Sequence, residues 1–312
     1  MTHPSPVRRL RRSELATPGS NEKMIAKAAE STADLVFLDL EDAVAPAEKD
    51  AARGKVVRGL TELDWGAKTR ACRINPVQTP WCFGDVIEVV GGAAGALDVV
   101  IVPKVRGPRD VWFVDDLLTQ LEARLGLPHR GIGMEVLIEE VEALARVDEI
   151  AAASPRLEAL ILGFGDLSAD QGMRGDHVGG ADQGAFPYPG DIWHYARCRM
   201  VVAARTNGID AIDGPYAGIG DPEGYRASAV QAAALGAVGK WCVHPGQLPI
   251  ANEVFAPTRV ELDKAVAVMA ALREAEENGL GAAVHQGSLI DAAARRIHET
   301  VIERARRCGM HP

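Results

Sequence analysis

Acidic and basic side chains recur in this sequence where short apolar runs end. Asp39, Glu41 and Asp42 follow the run that begins at residue 35, and Arg73 and Asn75 end the run at 69–74. Lys104 follows 98–102, Glu139 and Glu140 follow 131–138, and Asp166 comes just after 157–162. Asp213 and His244 close the last two runs, 209–212 and 237–243. Several acids beside Arg73 and Lys104 cannot all stay ionised in a dry pocket unless they are paired or bind a metal. Mg²⁺ suits such a set, because it takes oxygen ligands from one or two carboxylates and leaves positions for water and substrate; Mn²⁺ is the alternative ion. Zinc would want clustered His and Cys, which are lacking. An ion with an open face beside a fixed guanidinium suits chelation of a 2-oxo acid and stabilisation of an enolate.

Each of these residues also has a plainer role open to it. Asp42 could cap a helix over 44–52, Lys104 could pair with Asp39, and His244 in His-Pro-Gly could serve a turn.

The elements that would bring these groups together are eight strand-like runs, at 13–16, 35–40, 69–74, 98–102, 131–138, 157–162, 209–212 and 237–243. The second is apolar throughout apart from Asp39, as expected of a strand buried on both faces. Between the runs lie amphipathic stretches at 21–31, 111–125, 140–153 and 222–235. Strand alternating with helix predicts a parallel sheet, and eight repeats predict closure into a (β/α)8 TIM-type barrel, whose strand C-termini carry the chemistry. A doubly wound open sheet is the competitor, but no Gly-x-Gly-x-x-Gly follows the first run. Residues 170–191, rich in Gly, Asp and Pro, are expected to form a long loop. Helical stretches at 259–279 and 289–307, joined by a Gly-rich piece at 279–288, predict a C-terminal helical extension serving as lid or oligomerisation element. The expected division is a catalytic barrel over 1–256 and the extension over 257–312.

Composition narrows the class. The net charge of −9 disfavours nucleic acid or an anionic membrane as partner. Five cysteines without CxxC spacing support neither disulfides nor zinc. No apolar run is long enough to span a membrane, and the arginine-rich start at 8–12 lacks a signal peptide's apolar stretch, so a cytoplasmic location is expected.

At the same residues the chain resembles the HpcH/HpaI aldolase and citrate lyase β-subunit superfamily. The resemblance rests on 37–46 (FLDLEDAVAP), 73–76 (RINP), 102–105 (VPKV), 211–216 (AIDGPY) and 239–255 (GKWCVHPGQLPIANEVF). Three further stretches, 188–195 (YPGDIWHY), 200–205 (MVVAAR) and 221–225 (DPEGY), look most like the malyl-CoA/β-methylmalyl-CoA lyases within it. The resemblance covers about 12–301 and implies a barrel, Mg²⁺, and trimers or dimers of trimers in which each tail covers a neighbour's site. It implies reversible cleavage of malyl-CoA or β-methylmalyl-CoA to glyoxylate plus acetyl-CoA or propionyl-CoA. Citramalyl-CoA lyase, malyl-CoA thioesterase and citrate lyase β-subunit activities are the alternatives on this scaffold. A barrel that only binds CoA esters is the non-enzymatic one.

Carried onto this chain, the resemblance puts the metal on Glu139 and Asp166 and the arginine that steadies the oxo acid and enolate on Arg73. The tail's acid becomes Asp291. Substrate contacts fall on Gly165 and Asp166, those to the thioester and pantetheine around Val243 and His244, and those to the CoA phosphates near Lys27 and the 18–21 turn with Asn21. Asp39, Glu41, Asp42 and Lys104 would support the site from behind. The chain departs from the family pattern after Glu139, where Glu140, Val141, Glu142 and Ala143 stand in place of Thr or Ser and a following Gly. It departs also at Ala16, Asn21, Gln286 and Ser288.

Overall fold

A computed structural model describes residues 9–174, 178–179 and 190–311. Eight parallel strands close into a barrel: β1 (Ser13–Pro18), β2 (Leu35–Asp39), β3 (Thr69–Arg73), β4 (Val99–Val102), β5 (Gly133–Ile138), β6 (Leu157–Leu162), β7 (Asp210–Asp213) and β8 (Gly239–Cys242). Each pairs with the next, and β8 pairs back to β1. The predicted TIM-type fold is therefore the one observed, and the open sheet is not.

Alternation along the strands builds the interior. Leu35 and Phe37, Ala71, Val99 and Ile101, Leu137, Ala159 and Ile161, Ile212 and Trp241 form one buried cluster, with Ala16 packed against it. Strand side chains repeat on a face every second residue. One step above Phe37, Ala71 and Leu137 on that face come Asp39, Arg73 and Glu139. One step below Leu137 and Ala16 come Glu135 and Glu14, both fully buried. The apolar layers thus separate two polar ends.

The helices differ from the sequence expectation in several places. The stretch 140–153 is two short helices, Val141–Ala145 and Val147–Ala151, broken at Arg146, whose φ/ψ of −109°/19° interrupts the helical run. The helix expected over 44–52 begins later, at Lys49, and runs to Glu62. Helices Cys82–Ala93 and His194–Thr206 lie outside the expected stretches, the first being largely apolar and glycine-rich. A further difference is in the tail. Most of the expected 170–191 loop, with Tyr188 and Pro189 of the 188–195 motif, lies outside the described residues.

The chain forms two compact units, Met1–Asn252 and Glu253–Pro312. In the second, helix Arg259–Glu277 starts at a Thr258/Glu261 capping box, and helix Ala292–Arg307 follows a hairpin. The Gly-rich piece is that hairpin: β9 (Ala283–His285) pairs antiparallel with β10 (Ser288–Ile290). Val268, Leu272 and Ile290 form the unit's buried core, with Ala271, Ala283 and Ala294 against them.

Candidate active site

The C-terminal mouth of the barrel holds a cavity of about 450 Å³. Acids and Arg73 line one side: Asp39, Asp42, Glu139 and Asp166. Ala16, Leu137, Phe164, Pro215 and Trp241 supply an apolar wall, which the pattern of charges in the sequence does not single out. The alternation of β1, β5 and β8 carries that signal, since Ala16 and Leu137 sit in phase with the barrel core.

Arg73 is the most constrained group. Register pairs it with Asp39 across β2 and β3. Its Nε donates to Asp39 Oδ1 at 2.7 Å and its Nη2 to Oδ2 at 2.6 Å, a two-pronged clamp. Nη1 lies 2.8 Å from Glu41 Oε2 and 3.6 Å from Asp42 Oδ2. The guanidinium also lies over Trp241 and Phe37, with its carbon 5.3 and 5.9 Å from the ring centroids. Burial works against its charge, but Asp39, Glu41 and Glu139 more than compensate, so it stays cationic. The clamp uses Nε and one N–H of Nη2, so Nη2 keeps a second N–H, and Arg73 lines the cavity.

Asp39 in turn accepts from the amides of Glu41 (2.9 Å) and Ala43 (3.0 Å), which shapes the turn after β2. That turn is braced from below by Lys49, a buried residue with no mark in the sequence. Its Nζ donates to the carbonyls of Leu40 (2.9 Å) and Glu41 (2.7 Å). Lys104 does not pair with Asp39, because Arg73 already occupies both its oxygens. Lys104 Nζ instead lies 2.6 Å from Glu41 Oε1, 3.4 Å from Asp42 Oδ1 and 3.5 Å from Asp166 Oδ1. Asp42 caps no helix; it faces Arg73 and Lys104.

Glu139 and Asp166 come to the mouth from neighbouring strands, Asp166 in the first turn of helix Phe164–Asp170 after β6. Glu139 Oε1 accepts from the Lys104 amide at 2.7 Å. Burial pushes the Glu139 carboxyl up to about 8, despite Arg73, with Glu41 and Asp166 adding to the shift. Burial likewise pushes Glu41 up to about 7, against Arg73 and Lys104. A buried carboxylate crowded by other acids is one that a cation would stabilise. The backbone leaves it room: a Cβ on Gly163 would stand 2.5 Å from both Cβ and Oε2 of Glu139. Among the described residues, no group of three or more His, Cys, Asp or Glu side chains converges as a metal site. Two carboxylates alone fit the sparse protein ligation of Mg²⁺ and do not fit zinc.

The other residues expected at the site are spread more widely. Gly165 and Val243 line the cavity. Asn21, Lys27 and His244 do not line it: Asn21 Oδ1 caps the helix Glu22–Ala29 through the Met24 amide at 3.1 Å, and Lys27 is exposed in that helix's last turn. His244 Nδ1 accepts from the Gly246 amide at 3.1 Å, the turn role. Asp213 is buried and bound to Arg197 (2.9 and 3.1 Å) and Lys240, so it braces the structure and does not reach the cavity. Glu140 faces Arg106 at 3.6 Å. Asp291 belongs to the second unit, where its Oδ1 caps the last helix through the amides of Ala293 and Ala294.

An acid pair and a clamped arginine at the mouth of a (β/α)8 barrel define a barrel enzyme with a metal-ready site. The pattern of the HpcH/HpaI aldolase/citrate lyase family matches residues 12–245, and the chain belongs to that family. It is 41% identical over 310 residues, 97% of each chain, to the L-malyl-CoA/beta-methylmalyl-CoA lyase of Rhodobacter capsulatus. It is 34% identical to a (3S)-malyl-CoA thioesterase of Cereibacter sphaeroides, over 90% of this chain and 89% of that one. The crystal structure of CitE from Mycobacterium tuberculosis in complex with magnesium, acetoacetate and coenzyme A superposes with a TM-score of 0.74. That alignment has 30% identity and covers 96% of this chain and 98% of that one.

Proposed function

We propose that this protein is a Mg²⁺-dependent lyase that reversibly cleaves malyl-CoA or β-methylmalyl-CoA to glyoxylate and acetyl-CoA or propionyl-CoA. The observation that carries this is the pairing of Glu139 and Asp166 beside the clamped guanidinium of Arg73, in a chain 41% identical to a lyase of that name. Glu139 and Asp166 would hold the ion, with Mn²⁺ as the substitute. When bound, it would polarise the substrate's hydroxyl and adjacent carboxylate oxygens as a Lewis acid.

The chain's own residues then have distinct tasks. The second N–H of Arg73 Nη2 binds the oxo-acid oxygens and steadies the negative charge that moves onto the thioester as the carbon–carbon bond breaks. Asp39 fixes the plane of that guanidinium, so the donor is aimed before substrate arrives. The apolar wall of Ala16, Leu137 and Trp241 excludes water from the forming carbanion. Cleavage releases the hydroxyl proton as the carbonyl of glyoxylate forms, and Asp291 of a neighbouring copy returns a proton to the carbon next to the thioester, completing acetyl-CoA or propionyl-CoA. Gly165 lies against the substrate, Val243 and His244 along the pantetheine, and Asn21 and Lys27 near the phosphates of the CoA.

Self-association belongs to the same proposal. Val284 and Leu289 face each other across the β9–β10 hairpin and are 73% and 75% exposed. An exposed apolar pair on a two-stranded hairpin calls for a cover, and Asp291 follows β10 directly. A neighbouring copy, in a trimer or a dimer of trimers, supplies it. No described helix is long and apolar enough to cross a membrane, and we place the protein in the cytoplasm.

The test is product analysis on malyl-, methylmalyl- and citramalyl-CoA. Glyoxylate from the first two supports the proposal; pyruvate from citramalyl-CoA alone redirects it to that ester. Free malate and CoA without glyoxylate would make the protein a thioesterase.

A further inference from the structure

Lys104 touches both members of the acid pair, Glu139 through its backbone and Asp166 through its side chain. It follows Pro103 at the end of β4 and takes a φ of 49°, in the left-handed region that a residue with a Cβ seldom occupies. That conformation turns its amide onto Glu139 Oε1 at 2.7 Å. The same residue sends its half-buried ammonium to Glu41, Asp42 and Asp166, at 2.6, 3.4 and 3.5 Å. Arg73 is the other cation here, and it is occupied by Asp39 and Glu41. The ammonium of Lys104 is therefore the cation that Asp166 faces among the described ion pairs.

We propose that Lys104 is a positioning residue that tunes metal loading. Its amide aims Glu139, and its ammonium is the built-in counter-ion of Asp166 that a divalent cation must displace. This rests on Glu139 and Asp166 being the metal ligands. Two like-charged groups compete for one carboxylate, so the ammonium holds the affinity of the acid pair below what two free carboxylates would give. A side chain there only for structural support would show the opposite sign, since removing it would slacken the acids and weaken binding.

The experiment is Mn²⁺ binding to the metal-free full-length protein, read from the free-ion signal in electron paramagnetic resonance. Lys104→Met keeps length and removes charge. We expect it to bind Mn²⁺ roughly five- to tenfold more tightly than wild type, the scale of one unit charge a few ångströms from a partly exposed ion. Lys104→Arg should stay near wild type. Lys104→Gly adopts the left-handed φ without strain and keeps the amide, so it should match Lys104→Met and serves if the latter fails to fold. Unchanged or weaker binding in the folded uncharged variants overturns the role assigned to Lys104. Absence of Mn²⁺ binding in wild type would instead overturn the metal assignment of Glu139 and Asp166, and this inference with it.

Discussion

Replacing Asp39 with Asn should cripple the site while keeping its shape. The Asp39 carboxylate is 2% exposed and accepts four hydrogen bonds: two from Arg73, and one each from the Glu41 and Ala43 amides. The Asn amide has one accepting oxygen, and its NH₂ must point at donors that already face that position. Breaking one partner of a buried charge pair costs roughly 3–5 kcal/mol. Arg73 keeps Glu41 at 2.8 Å, so we set the loss at about 2–4 kcal/mol. For a chain of this size that corresponds to a fall in Tm of roughly 3–6 °C. Arg73 would also lose its fixed plane, and misplacement of about 1 Å costs on the order of 100-fold in rate. Thermal denaturation and steady-state glyoxylate release on the same preparation measure the two effects. A variant with wild-type Tm and wild-type kcat/KM would refute the view that Asp39 orients the arginine.

Other consequences are separable from this one. Gly163→Ala places a Cβ against Glu139 without backbone strain, since Gly163 has a φ of −97°. Mn²⁺ affinity should drop about 10–100-fold in a folded protein, checked by calorimetric titration; unchanged affinity would separate Glu139 from the metal. At the opposite end of the barrel, burial raises the carboxyls of Glu14 and Glu135, with the charge of Glu135 adding to the first and that of Glu158 to the second, and Arg11 only partly offsets this. A raised folded value means stability that is full below the ordinary 4.5 and is lost as pH rises through the folded value. Glu14→Gln, which can still accept from Trp241 Nε1 (2.9 Å), should therefore gain Tm relative to wild type as pH rises from about 5 to 8. A pH-independent difference would mean that Glu14 is not the group under strain. Val284→Glu with Leu289→Glu should lower the mass measured by light scattering and reduce turnover together, with the barrel still folded. Unchanged mass would remove the hairpin from the assembly interface.

The strands were legible because buried parallel strands are apolar nearly end to end, and the charged residues that close those runs marked Asp39, Arg73 and Glu139. Partner choice was not legible. Asp39 was open to Lys104 in the sequence, but strand register sets it against Arg73, and Lys104 reaches Glu41 instead. Those pairs join residues dozens of positions apart, which no local pattern encodes. The conformation of Lys104 was hidden too, since a positive φ at a lysine has no compositional mark. Strand-end position alone over-assigned Asp213, whose partners Arg197 and Lys240 give it a structural task. The hairpin at 283–290 was hidden by glycines that suggested a linker.

The claim that the acid pair and Arg73 serve metal-dependent carbon–carbon cleavage is tested most directly by following purified protein acting on malyl-CoA. Equal amounts of glyoxylate and acetyl-CoA are expected, abolished by EDTA, restored by Mg²⁺ and absent in Glu139→Ala. Glyoxylate release that survives both EDTA and Glu139→Ala, or malate and free CoA as the products, would contradict it.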